Sequence, residues 1–215
     1  MPWPMVHFAV AQRLFEPGPS PAFLLGSISP DAIHAREHVT RKEKGVTHLV
    51  HEGRFPSIQT LQHACVSYLD QHRDPDWKAF VWGYFAHIYT DIRWTETLYA
   101  DFEREYAGDS DKIRDTYNRE VSQLEFDLLK REPWAQDALI QLRQARAFAV
   151  EPLLTPDEVN RYRDMKLAWL EEERHEPKIE TMYFQETKAR RFIEKTAEEI
   201  TEWVAWGFPR ERSVT

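Results

Sequence analysis

The chain has 215 residues, 42% of them hydrophobic and only 7 of them glycine, which argues for one sizeable, mostly helical core and against hairpin-rich folds. A formal net charge of −8 excludes broad binding to nucleic acid or anionic membranes, while leaving room for a local basic patch. Cys65 stands alone, the start Met1-Pro2-Trp3-Pro4 has no basic leader, and no apolar run is long enough to span a bilayer, so the expectation is a cytoplasmic protein without an internal disulfide.

From the N-terminus, Met5, Phe8, Ala9, Ala11, Leu14 and Phe15 recur with a helical period that stops at Pro17-Gly18-Pro19. His7 lies in this helix and by itself reads as a helix-start histidine that hydrogen-bonds locally. Ser20-Pro21 provides an N-cap and first position for a short helical turn ending at Gly26. Gly26 to His34 is irregular, with Asp31 directly after Pro30, where a turn or cap role is the simplest one. His34 to Gly53 shows no helical period and reads as a polar loop. Its histidines, His34, His38, His48 and His51, suit metal or phosphate chemistry, and equally a solvated basic loop.

Pro56 to His72 follows as a helix with Ile58, Leu61, Ala64, Cys65, Tyr68 and Leu69 on one face. Asp74-Pro75 starts a longer one, whose pattern runs through Trp77, Phe80, Val81, Tyr84, Phe85, Ile88 and Ile92 to about Tyr106. Asp109 to Arg131 and Pro133 to about Phe148 are amphipathic helices. Thr155-Pro156-Asp157-Glu158 is a capping-box start for a helix to about Arg174. A last helix, from about Glu186 to Trp206, has Phe192, Ile193, Ala197, Ile200, Trp203 and Val204 as its apolar positions. Charge runs such as Glu171-Glu172-Glu173 are solvated faces.

The most informative stretch is Trp82 to Trp94. On a helix, His87 and Asp91 share a face one turn apart, and Gly83, a turn earlier, leaves that face without a side chain, where a ligand could sit. Asp91 and Arg93 are the formal charges between Ala79 and Trp94. A carboxylate in such apolar surroundings needs an arginine, backbone donors or a metal. His7, Asp31, His48, His87 and Asp91 together form a ligand set suited to zinc.

In order and spacing, the blocks Met5-Val6-His7-Phe8-Ala9, Ser29-Pro30-Asp31, Thr47-His48 and Gly83-x-x-x-His87-x-x-x-Asp91-x-x-Trp94 resemble the zinc-dependent phospholipase C family, whose all-helical fold is shared with the zinc-dependent single-strand nucleases. The resemblance spans about the first hundred residues. It implies an all-α, single-domain helical bundle over 1–215, with a metal-ligand half at 1–106 and a quieter helical half at 107–215. It further implies two zinc ions, or other divalent metals: one held by His7, Asp31 and Asp91, the other by His48, His87 and the bridging Asp91.

The activity implied is hydrolysis of phosphoric esters, a phosphodiester or phosphomonoester, by metal-activated water. The substrate would be a small phosphate ester or a phospholipid. Asp31 is a candidate catalytic base, although metal ligation would depress its pKa and weaken it in that role. His34, Arg36 and His51 are candidates for substrate binding, with Arg41 or Lys44 as further phosphate contacts; His51 is also an alternative ligand to His48. Thr95 stands where the family has a histidine, so the family's third zinc is expected to be absent or rebuilt from a carboxylate such as Glu96. A helical scaffold with a structural metal, or a protein-interaction role, is the rival reading.

Overall fold

A computed structural model describes the backbone of residues 1–207 and the side chains of residues 1–203; Val204 as an apolar position therefore lies outside the described side chains. Among the described residues the architecture is all-helical. Its ten α-helices are α1 (Pro4–Leu14), α2 (Pro21–Gly26), α3 (Arg41–Thr47), α4 (Ile58–Leu69), α5 (Pro75–Trp94), α6 (Ala100–Glu105), α7 (Ile113–Arg131), α8 (Ala135–Gln144), α9 (Pro156–Glu171) and α10 (Glu186–Gly207). Among the described residues extended pairing is limited to two isolated bridges, His51 with Arg54 and Val150 with Leu154. Among the described residues no helix is long and apolar enough to cross a membrane.

Helix boundaries follow the capping chemistry. Ser20, Ser57 and Asp74 accept hydrogen bonds from first-turn amides of α2, α4 and α5, and Thr155 with Glu158 closes a reciprocal box at the start of α9. One further box lies where the hydrophobic pattern predicts a loop. Thr40 and Glu43 cap each other's backbone at the start of α3, so the segment from His34 to Gly53 contains a helix. Its faces are mostly polar, which hides the period, and the capping pair is the sequence signal that marks it.

α5 is the central element. Most of its residues from Trp77 to Trp94 are buried, and α1, α2, α4, α10 and the 3-10 segment Ser29–Ala35 pack on it. Instead of running unbroken to about Tyr106, its α-helical ladder gives way to one π turn, Thr95–Tyr99, before α6. There the Thr95 and Thr97 hydroxyls donate to the carbonyl oxygens of Asp91 and Arg93, at 2.8 and 2.6 Å, competing with the regular backbone pattern. α8 likewise stops at Gln144. Residues beyond it run extended, and the Phe148 ring packs 5.4 Å from that of Phe80.

The empty face at Gly83 is filled by backbone. A Cβ at Gly83 would lie 2.2 Å from the Phe23 carbonyl oxygen and 2.8 Å from the Ser27 nitrogen; one at Gly26 would lie 2.0 Å from the Phe80 carbonyl oxygen. The two glycines let α2 and α5 touch main chain to main chain. The expected ligand space one turn before His87 is thus occupied by α2 itself, and this contact delivers the Ser27 carbonyl to the histidine.

Candidate metal centre

Four elements bring the candidate residues together. His7 comes from α1, Asp31 from the 3-10 segment after Pro30, His48 from the C-cap of α3, and His87 and Asp91 from α5. His7, His48, His87 and Asp91 are buried, whereas Asp31 keeps about 14% of its side chain exposed. Asp91 lies at the middle: its Oδ1 is 3.7 Å from His7 Nε2, and its Oδ2 is 3.3 Å from His48 Nε2 and 3.4 Å from His87 Nε2. Asp31 Oδ1 is 3.6 Å from His48 Nε2.

The tautomers are fixed by carbonyl groups, which only accept. His87 Nδ1–H donates to the Ser27 carbonyl at 2.8 Å, and His48 Nδ1–H to the Lys44 carbonyl at 3.0 Å. Both Nε2 atoms are therefore left with lone pairs, and they face each other across 3.3 Å. Two lone pairs at that distance repel unless a proton or a cation stands between them. His7 stacks on His87 with ring centroids 4.0 Å apart, so at most one of these two rings can carry charge without strong repulsion.

The buried polar atoms lack protein partners where a cation would be held. Both nitrogens of His7, Asp31 Oδ1 and both carboxylate oxygens of Asp91 make no hydrogen bond among the described residues. Leaving such atoms buried and unmatched costs about 1 to 3 kcal/mol each, more when charged. Two ligand groups have donor atoms within 4.8 Å of one another: His7, His87 and Asp91; and Asp31, His48 and His87. His87 stands in both, where the resemblance allots it to one ion, and His7 is grouped with Asp91 and His87. The donors are imidazole nitrogen and carboxylate oxygen, the set that borderline divalent ions such as zinc accept.

Electrostatics poise the groups as ligands. Burial, reinforced by the neighbouring His87, holds His7 down to about 3, so it stays neutral. Burial disfavours the charge on Asp91, but the close imidazoles of His87 and His48 outweigh it and keep the carboxyl well below its ordinary range. Asp31 is likewise lowered, because Lys44, with His87 and His48, overcomes its burial. His87 is raised despite burial by Asp91, Asp31 and the Ser27 carbonyl. Its proton is what a bound cation would displace.

The remaining candidates occupy different places. His34 Nε2 lies 3.8 Å and Lys44 Nζ 3.3 Å from Asp31 Oδ1, both at the exposed edge of the cluster. Arg36 is engaged elsewhere: its Nε donates to Glu158 at 2.5 Å and its Nη2 to the Leu153 carbonyl at 2.9 Å. His51 is exposed, outside the cluster, on the wall of a cleft of about 1210 Å³ that His48 and Lys44 also line. Glu96 pairs with Arg93 at 2.6 Å and belongs to neither ligand group.

The quieter half supplies two supports that sequence reasoning missed. Glu125 of α7 is fully buried and accepts the Met5 amide at 2.7 Å, capping α1, the helix that carries His7. A lone glutamate inside an amphipathic pattern gives no sign of this contact, because its partner is far away in sequence. Tyr162 of α9 is buried, and burial together with the charge of Asp31 keeps its phenol protonated.

Burial pushes Glu125 up to about 8 from an ordinary value of 4.5, against the opposing amides of Met5 and Val6. The folded state then binds this proton more tightly than the unfolded chain, so stability falls as pH rises between those two values. Urea unfolding across pH 5 to 8 is expected to show this loss, on the order of a few kcal/mol. Glu125→Gln, which keeps an acceptor for Met5, is expected to flatten it; an equal slope in both proteins would contradict the assignment. Comparisons with protein-family models, curated proteins and solved structures find no match to this chain.

Proposed function

We propose that the protein is a metal-dependent hydrolase of phosphoric esters with its centre at His7, Asp31, His48, His87 and Asp91. The observation that carries this reading is the set of ligand atoms converging from four elements, with both His7 nitrogens, Asp31 Oδ1 and both Asp91 oxygens buried and without hydrogen-bond partners among the described residues, opening through His48 and Lys44 onto a large cleft. A purely structural metal site is closed on all sides, whereas a catalytic one keeps access to substrate. Partial exposure of Asp31 and the cleft beside His48 favour the second kind.

Each residue has a definable part. The Ser27 and Lys44 carbonyls orient His87 and His48 so that both Nε2 lone pairs point at Asp91. Asp31 and Asp91 supply the negative charge that holds divalent cations. When bound, such ions activate water and neutralise charge on a phosphoryl group. Lys44, 3.3 Å from Asp31, would be free to pair its ammonium with a phosphate oxygen if a divalent cation neutralised that carboxylate. Asp31, lowered in pKa, serves better as a ligand than as a general base.

The test is turnover of p-nitrophenyl phosphate and bis(p-nitrophenyl) phosphate by zinc-loaded protein. Hydrolysis of either, lost on chelation and restored by zinc, is the expected result. Bound metal with neither ester hydrolysed would favour a structural ion.

A further inference from the structure

The cleft beside the metal centre is cationic in a chain whose net charge is −8. Arg41 and Lys42 from the first turn of α3, Lys44 one turn on, and Arg114 from the start of α7 line it, against the single carboxylate of Glu52. Elsewhere on the surface, arginines and lysines are commonly paired with acids, as Arg93 is with Glu199 and Lys188 with Glu105. Arg41, Lys42 and Arg114 make no ion pair or hydrogen bond among the described residues. Three unpaired cations at one mouth, in an acidic chain, mark a place where negative charge is received.

One phosphoryl group at the metal centre would be matched by any cations held there and by Lys44. It leaves Arg41, Lys42 and Arg114 without a counter-charge. We infer that the substrate carries a second phosphate, set apart from the one at the metal centre and received by Arg41 and Arg114 at the cleft mouth. The ring of Tyr99, which also lines the cleft, offers an apolar surface to the organic body between the two phosphates. Guanidinium groups suit this task because each can grip a phosphate with two parallel hydrogen bonds. This inference rests on the phosphoric ester reading for the first phosphate only.

The probes are adenosine 3′,5′-bisphosphate and adenosine 5′-monophosphate, compared on zinc-loaded protein by calorimetric binding and by phosphate release. The bisphosphate is expected to bind at least about tenfold more tightly and to show a correspondingly higher kcat/KM. In Arg41→Ala/Arg114→Ala that ratio should fall toward one, while Lys78→Gln, which removes an exposed cation on α5, should keep it. Equal affinity for both nucleotides would overturn the inference even if hydrolysis persists. A binding ratio that persists without any ester hydrolysis would sustain the second-phosphate site while overturning the hydrolase reading. Vesicles containing phosphatidylinositol 4,5-bisphosphate distinguish a membrane headgroup from a soluble ester as the source, and preferential turnover of either sustains the second phosphate. Tighter binding of a single-stranded DNA 10-mer than of the bisphosphate would overturn the small-ester assignment.

Discussion

Asp91→Asn is expected to lose metal, activity and the metal-linked part of the stability together. Asp91 faces three imidazoles, at 3.7 Å for His7, 3.3 Å for His48 and 3.4 Å for His87, and neither of its oxygens has another partner. The amide keeps the shape but removes the charge that offsets the cations. If free ion stands at about 1,000 times its Kd, binding stabilises the fold by about 4 kcal/mol, or roughly 8 to 16 °C in a chain of this size. The variant should melt lower than wild type by that margin in zinc-replete buffer. In chelator the gap should shrink, because wild type loses the ion as well. A gap of the same size in both buffers would mean that Asp91 acts through its imidazole pairs alone.

Gly83→Ala is expected to cost at least about 2 kcal/mol, seen as a melting point lower by roughly 4 °C or more. The added methyl would press on main-chain atoms of α2, 2.2 Å from the Phe23 carbonyl oxygen, and a packed helix backbone cannot move aside as a side chain can. Any relief that pushes α2 outward also withdraws the Ser27 carbonyl from His87, now 2.8 Å from Nδ1. Metal affinity should therefore fall by about 10- to 100-fold alongside the stability. Unchanged affinity in a destabilised Gly83→Ala protein would show that the carbonyl does not orient the ring.

Much of the fold could be read from local patterns. Helical periods and the caps at Ser20, Asp74 and Thr155 mark their elements because each signal lies within one turn of its effect. The pairing of His87 with Asp91 is legible for the same reason. Gly83 was harder: a bare helix face looks alike whether a ligand or another backbone fills it, and the matching Gly26 is distant in sequence. α3 was hidden by its polar faces, although Thr40 and Glu43 announce it. Glu125, which caps α1 from 120 residues away, has no local signature at all. The cationic mouth was only partly legible, since nothing near Arg114 in the sequence ties it to Arg41.

The centre itself shows how far composition reasoning reaches. Residue types and spacing point to a His/Asp metal site, but the grouping of ligands depends on how α1, α3 and α5 meet. There His87 takes part in both groups, and Asp31 sits with His48. The exposed edge of Asp31, beside Lys44 and the cleft, is a tertiary feature that no stretch of sequence contains.

The most direct test is elemental analysis of wild-type protein purified without added metal or chelator. About two equivalents of zinc or a similar divalent ion per chain, removed by chelation with a fall in melting temperature, are predicted. A metal-free protein whose melting temperature is unchanged by either zinc or chelator would contradict the assignment of His7, Asp31, His48, His87 and Asp91 as a metal centre.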